Sequence, residues 1–314
     1  MSEYNVIGHS PLRKDAIEKA TGRAIYTPDV KPDGMLYGRM LGSTVAHGII
    51  KRIDTSKAEA LFGVKAVVTG KDAPEARTGY IKDRHVLCKH KVRYLGDPVA
   101  AVAAITPEIA QQALELIEVE YEELPVILDV REAFAKDCPV VLHEDLEHYE
   151  TTPVPLLIYR LDPEHKNAFI HRQIRHGDIG TGFEEADVVI EGDYEVPRAH
   201  HCPMETHSCC VAPDVNGNLT IWASEQGGVR LKYFICNTFG LDSSKVRFIT
   251  PYLGGGFGGK NIFSVYCYCA YATFRTKRPC YLIYTRKFAQ ISIGSRHEYE
   301  LDMTMGASKD GTIR

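Results

Sequence analysis

The chain has 314 residues, 44% of them apolar and 25% charged, with a net charge of −4. That balance is the one of a globular protein of about two domains. It argues against a nucleic-acid or anionic-membrane binder, because no large basic field gathers phosphates, and no apolar run approaches the ~20 residues that span a bilayer. The start, Met1-Ser2-Glu3-Tyr4-Asn5, is polar and lacks the apolar centre of a signal peptide. A cytoplasmic location is therefore the default expectation. Nine cysteines occur with no Cys-x-x-Cys pair. Reduced thiols are expected, not a disulfide framework or a metal or cluster site.

In chain order, residues 1–19 read as a polar extension. Gly34 to Gly42 reads as a strand with glycine interruptions. Asp54 to Gly63 reads as a short helix, with Asp54 to cap its start and Gly63 to end it. Val64–Thr69 is β-branched and predicts a strand; Pro98–Ala104 predicts a buried one. Thr106-Pro107-Glu108 has the threonine cap and first-turn proline of a helix running through Ile117. Ile117 to Glu122 alternates apolar and acidic residues, a half-exposed strand whose glutamates form a solvated face. Residues 20–130 thus form an α+β unit of ordinary domain size.

Residues 131–175, with Pro139, Pro153, Pro155 and Pro163, read as a linker or wrapping segment. From 176 to 314 the chain is strand-rich again, with strands at Ala186–Gly192, Leu219–Ala223 and Val246–Thr250. Helices are predicted over Gly228–Phe239 and about Ile262–Thr276. Cys267 and Cys269 lie in an apolar segment and read as two core-facing residues.

The last strand runs into Leu253-Gly254-Gly255-Gly256-Phe257-Gly258-Gly259-Lys260-Asn261, where five glycines surround one large side chain. Such a loop brings backbone close to a ligand and offers free N–H groups to phosphate or an oxyanion. Gly254-x4-Gly259-Lys260 satisfies most of a P-loop pattern, but Asn261 stands where a P-loop needs Ser or Thr for magnesium. Gly254, Gly256 and Gly259 also satisfy a dinucleotide pattern that any glycine-dense loop contains, without an evident acidic partner. A packed glycine turn with no ligand is the plain alternative. Nearby, Glu205 and His207 would share one face of a strand, and His200 and His201 would face opposite ways on one.

Several segments in order resemble the large, molybdopterin-binding subunit of the xanthine dehydrogenase family of molybdenum hydroxylases. These are Arg13-Lys14-Asp15 through Lys19 to Tyr26, Arg93-Tyr94-Leu95-Gly96-Asp97-Pro98-Val99-Ala100-Ala101-Val102, His176-Gly177-Asp178-Ile179, Phe183 to Val189, Pro203-Met204-Glu205-Thr206-His207, and the glycine loop. The resemblance runs from about Arg13 to the end. It implies an α+β chain: an N-terminal α/β-hammerhead domain over 20–130, then the first part of a mixed α/β molybdenum-cofactor-binding domain over 176–314. It implies a molybdenum–molybdopterin cofactor, in the cytosine dinucleotide form, and hydroxylation with water as the oxygen source. An iron–sulfur subunit with 2Fe-2S centres and an FAD subunit are the implied partners.

The resemblance also assigns residues. Gln226 is expected to hydrogen-bond an oxygen ligand of the molybdenum, a role that suits an uncharged amide. Gly255, Gly256, Phe257 and Gly258 are expected at the cofactor, with Phe257 walling the substrate side. No residue of the chain is expected to ligate the metal directly. Glu205 and His207 are expected to make structural hydrogen bonds. Asn261 is expected at the substrate, where purine-oxidising members carry a glutamate, and the amide disfavours hypoxanthine or xanthine. The family's general-base glutamate and most pterin contacts have no match in these residues. They are expected on a missing C-terminal half or a complementary molybdopterin-binding polypeptide, with no turnover by this chain alone. An assembly scaffold without chemistry is the non-enzyme alternative; an aldehyde oxidoreductase or aromatic acyl-CoA reductase is the alternative within the family.

Overall fold

The computed structural model describes residues 4, 6–75, 77–78, 82–149, 164–168, 170, 173–261 and 264–314. Pro153, Pro155 and Pro163 of the expected linker, and Ile262 and Phe263 of the expected last long helix, lie outside these. The strands that build the fold are β1 (Leu36–Gly42), β2 (Gly48–Asp54), β3 (Val64–Thr69), β4 (Pro98–Ala104), β5 (Glu118–Glu123), β6 (Val188–Val196), β7 (Ser208–Pro213), β8 (Leu219–Ala223), β9 (Val246–Ile249), β10 (Cys280–Ile283) and β11 (Tyr299–Ala307). The main helices are α1 (Pro107–Glu115), α2 (Gly228–Phe239), α3 (Ser264–Thr276) and α4 (Arg286–Ser292).

One seven-stranded mixed sheet runs β9-β8-β7-β10-β1-β4-β3. It crosses the boundary expected between the two sequence units. β1 of the first unit pairs in parallel with β10 of the second, Leu36 opposite Cys280 and Gly38 opposite Leu282. A single apolar cluster joins Leu36, Met40, Val68, Ala101 and Ala103 to Val211, Ile221, Leu231 and Tyr266. The 20–130 segment therefore shares its sheet and core with the segment that carries the glycine loop.

β4 shows how sequence makes this possible. All seven residues of Pro-Val-Ala-Ala-Val-Ala-Ala are buried. Alternation sends Ala100, Val102 and Ala104 toward Ala110, Ala113 and Leu114 of α1. It sends Ala101 and Ala103 toward the shared core on the other face. The alanines let elements pack closely on both sides. α1 starts as its sequence predicts: Thr106 accepts a hydrogen bond from the Ile109 N–H at 3.2 Å. α3 is buried all round, from Val265 to Ala270, which is why Cys267 and Cys269 are both interior although they sit on different sides of a helix.

The acidic side of β5 is paired with basic residues of β2 and of the segment just after it. Glu118 binds Lys57 at 2.5 Å, Glu120 binds Arg52 at 3.1 Å, and Glu122 binds Lys51. These are exposed ion pairs of small energetic weight. β6 and β11 form a nine-residue antiparallel ribbon. Its register places Val188, Ile190, Tyr194, Tyr299, Leu301, Met303 and Met305 on one face, and all seven are exposed. The other face is acidic, with Glu195 opposite Glu300 and Asp193 opposite Asp302. Arg131 lies against Glu300 there. No helix among the described residues is long and apolar enough to cross a membrane.

Candidate functional site

The glycine loop leaves the C-terminal end of β9 and enters α3. A bond from Gly259 N–H to Gly256 O, 2.7 Å, closes a four-residue turn. Its two central residues, Phe257 and Gly258, have φ of +54° and +89°. Both signs are those of a type I′ turn, in which glycine or asparagine is the usual occupant. A phenylalanine there costs about 1–2 kcal/mol of backbone strain, so the surroundings must hold it.

They hold it from four sides. The Glu205 carboxylate accepts from Gly254 N–H at 2.9 Å and from Lys260 Nζ at 2.6 Å, so one oxygen ties both ends of the loop. Glu205 N–H also donates to Gly254 O at 3.2 Å. Lys260 is wholly buried and the Glu205 side chain is 8% exposed. Burial pushes the Lys260 ammonium down from its ordinary value, with the Glu205 partner opposing that shift. His207, at the start of β7, donates from Nε2 to Gly259 O at 2.9 Å. Burial drives its pKa down to about 4, so the ring is neutral and its Nδ1 carries no proton.

Gln226 makes the fourth contact. Its Oε1 accepts from Gly258 N–H at 2.9 Å and from Lys260 N–H at 3.3 Å. Its own N–H donates to Lys260 O at 3.0 Å. Two backbone donors fix which end of the amide faces the loop, so the Nε2 donors point away from it. The side chain is exposed. Glycine is required at 256 by space: a Cβ there would lie 2.5 Å from Gln226 Cδ and Oε1.

The structure thus brings Gln226, Gly255, Gly256, Phe257, Gly258 and Asn261 to one place. Gly258 differs from the others, because its N–H is turned inward to Gln226. Among the described residues, the N–H groups of Gly255, Gly256 and Phe257 make no hydrogen bond. Phe257 is 72% exposed, which removes the reading of a core aromatic covering the turn. Asn261 is engaged at both ends of its amide: Oδ1 accepts from Arg230 Nη2 at 2.6 Å, and Nδ2 donates to Gly258 O at 3.2 Å. Each end of its amide thus has one partner within the protein, and Nδ2 keeps a second N–H.

Several sequence expectations change here. The P-loop reading fails because the Lys260 ammonium is committed inward to Glu205. Glu205 and His207 do not form an acid–base pair on a strand; they clamp the loop. His200 and His201 lie in irregular chain, not on a strand. His200 Nε2 donates to Ala289 O at 3.1 Å, while the His201 ring packs under Gly259. No group of three or more His, Cys, Asp or Glu able to hold a metal occurs among the described residues. All nine cysteines are free, and only Cys202 is exposed. Sequence reasoning missed Arg230, which looked like an ordinary first-turn helix residue, and the Glu205–Lys260 pair, whose members lie 55 residues apart.

Two family models match the chain. The molybdopterin cofactor-binding domain matches residues 161–314, and the α/β hammerhead domain of aldehyde oxidase and xanthine dehydrogenase matches 21–125. The nicotinate dehydrogenase large molybdopterin subunit of Eubacterium barkeri is 33% identical over 314 residues, covering 99% of this chain and 69% of that one. This chain belongs to the xanthine dehydrogenase family of molybdopterin-binding proteins. A probable xanthine dehydrogenase subunit of Bacillus subtilis is 37% identical over 97% of this chain, which spans only 38% of that protein's length. In structure, CO dehydrogenase from Oligotropha carboxidovorans superposes with a TM-score of 0.84 at 31% identity, covering 98% of this chain and 38% of that one.

The residues present fit an oxygen-rich anionic group such as a molybdenum–pterin centre. Three successive backbone N–H groups, of Gly255, Gly256 and Phe257, make no hydrogen bond, and they lie on the loop that the Gln226 side chain contacts. None of them adds charge or competes as a ligand.

Proposed function

We propose that this chain is part of the catalytic subunit of a molybdenum hydroxylase that oxidises an N-heteroaromatic or related substrate with water as the oxygen source. The observation that carries this reading is the orientation of Gln226, whose oxygen is spent on Gly258 and Lys260 and whose NH2 is left to donate outward. When bound, molybdenum–molybdopterin, in our reading the cytosine dinucleotide form, supplies a two-electron redox centre. Gln226 Nε2 and the N–H groups of Gly255, Gly256 and Phe257 would hold it by hydrogen bonds to its anionic oxygens, as preorganised donors do. Phe257, exposed on its strained turn, walls the substrate and excludes water. The general-base glutamate lies on a complementary polypeptide or further segment, and 2Fe-2S and FAD partner subunits receive the electrons in the cytoplasm. The exposed apolar face of the β6–β11 ribbon supports a further polypeptide, since patches of that kind mark contact surfaces.

The test is purification of the native complex, with metal and pterin analysis and a dye-reduction screen over pyridine carboxylates, purines, aldehydes and aromatic thioesters. Molybdenum and pterin should be present, and Gln226→Ala should lower turnover about a hundredfold, the effect of removing one such donor. A complex without molybdenum would leave only a scaffold and end this reading.

A further inference from the structure

A cleft separate from the glycine loop opens elsewhere on the main sheet. β1 and β10 run parallel, and past their carboxyl ends a space of about 580 Å³ lies between α1 and α4. That is the size of a small-molecule site, and the crevice beyond the carboxyl ends of strands is where α/β sheets commonly take ligands. Leu41, Leu95, Leu114, Phe288 and Ile291 give it apolar walls. Neither Gln226 nor any residue of the glycine loop lines it.

Among the described residues, the charged side chains of the lining are Arg39, Glu115 and Lys287. Arg39 is half-buried on β1. Its Nη1 donates to carbonyl oxygens, Ile283 O at 3.3 Å and Gly38 O at 3.4 Å. Its Nε and Nη2 make no hydrogen bond, and the side chain forms no ion pair, among the described residues. Lys287 is exposed and forms no ion pair among them either. Glu115 accepts from Gln111 Nε2 at 3.2 Å, one turn back on the same helix. Two cations therefore face one carboxylate across an apolar cleft, and the more sheltered cation is a guanidinium with donors to spare.

We propose that this cleft is a binding site for an aliphatic carboxylate, its chain against the leucines, Phe288 and Ile291 and its head on Arg39. A planar guanidinium matches a carboxylate in geometry as well as charge. A half-buried one attracts it more strongly than an exposed one, because less water screens the pair. A cationic amphiphile would meet Glu115 alone and be repelled by both Arg39 and Lys287. Charged hydrogen bonds of this kind correspond to about a tenfold to hundredfold preference for the carboxylate over its neutral amide. The inference stands apart from the function proposed for the glycine loop, since the two places share no residue.

Calorimetric titration of the native complex with octanoate, octanamide and octylammonium tests this without requiring turnover. Octanoate should bind at least about tenfold more tightly than either of the others, and added salt should narrow the gap. Arg39→Met should remove the preference over octanamide, and Arg39→Lys should keep part of it. Leu95→Trp fills the cleft from a side chain that is 48% exposed, and it should weaken octanoate and octanamide alike. Gln226→Ala should leave octanoate binding unchanged. The proposal is overturned by no saturable binding of octanoate, by equal binding of octanamide, or by tighter binding of octylammonium. An Arg39→Met complex that melts normally and keeps the preference would overturn it too. So would octanoate binding that survives Leu95→Trp and is lost in Gln226→Ala, which would place the probe at the glycine loop. Failure of the molybdenum reading looks different: the complex would then hold no molybdenum, whatever this cleft binds.

Discussion

Lys260→Met is the substitution whose outcome follows most directly from the site. Methionine keeps most of the length and volume of the lysine stem, so the change removes the ammonium and little packing. Glu205 is then left with one hydrogen bond, from Gly254 N–H, and its other oxygen is already buried without a partner. Removing one member of a buried pair costs about 3–5 kcal/mol, because the remaining charge is uncompensated. Replacing both members by neutral groups of similar shape is often close to neutral. Lys260→Met should therefore destabilise by about 3 kcal/mol or more, and Glu205→Gln combined with Lys260→Met should recover at least about 2 kcal/mol of that loss, a strong non-additivity. Urea unfolding followed by fluorescence measures both, since Trp222 of β8 is the only tryptophan and sits beside Ile249 at the start of the loop. A single variant costing under about 1 kcal/mol, or a double variant equal to the sum of its parts, would refute the clamp.

Three other outcomes are expected. His207 has a folded pKa of about 4 against 6.5 ordinarily, so the unfolded chain gains its proton first; stability is complete above pH 6.5 and falls as pH drops toward 4, by about 3 kcal/mol in total. Urea midpoints measured at pH 7 and pH 4.5 with and without His207→Gln report the share of this one ring, and an unchanged slope in the variant would remove it from the account. Phe257→Asn should raise stability by about 0.5–1 kcal/mol, because asparagine tolerates the positive φ and little burial is lost, while lowering turnover of the complex; thermal melts and dye reduction read the two effects separately. Gly256→Ala should displace Gln226 from Gly258, since the new Cβ would stand 2.5 Å from its amide; a crystal structure with the Gln226–Gly258 bond intact would contradict this.

Much of the fold was legible because its signals are local. The cap at Thr106, the apolar run of β4, the helix over Gly228–Phe239 and the strand before the glycine loop all depend on neighbours in sequence. The joint sheet was not legible, because the pairing of Leu36 with Cys280 spans most of the chain and no local pattern specifies a partner. The site divides the same way. Glycines and Gln226 were recognised by motif. The direction of the Gln226 amide, the inward turn of Gly258 N–H and the contact of Arg230 with Asn261 depend on bonds between residues about 30 positions apart. Glu205 and Lys260 were each in view, one in a Glu-x-His segment and one in a P-loop pattern, yet the contact that explains both could not be read from either.

The strain at Phe257 and the clamps around it are two sides of one arrangement. A non-glycine residue at positive φ relaxes unless its neighbours prevent it. Here Glu205 holds the ends of the loop, His207 holds Gly259, and Gln226 holds Gly258 and Lys260. Each anchor is itself inflexible: the ion pair is sealed from water, the histidine is neutral in the interior, and the glutamine is pinned through its backbone as well as its side chain. An exposed aromatic ring on so constrained a turn contributes nothing to the core. In the proposed function its position is explained by the substrate it would wall, and the donors beside it at Gly255, Gly256 and Gln226 would be set before the cofactor binds, which is the condition under which fixed dipoles act most strongly on developing charge.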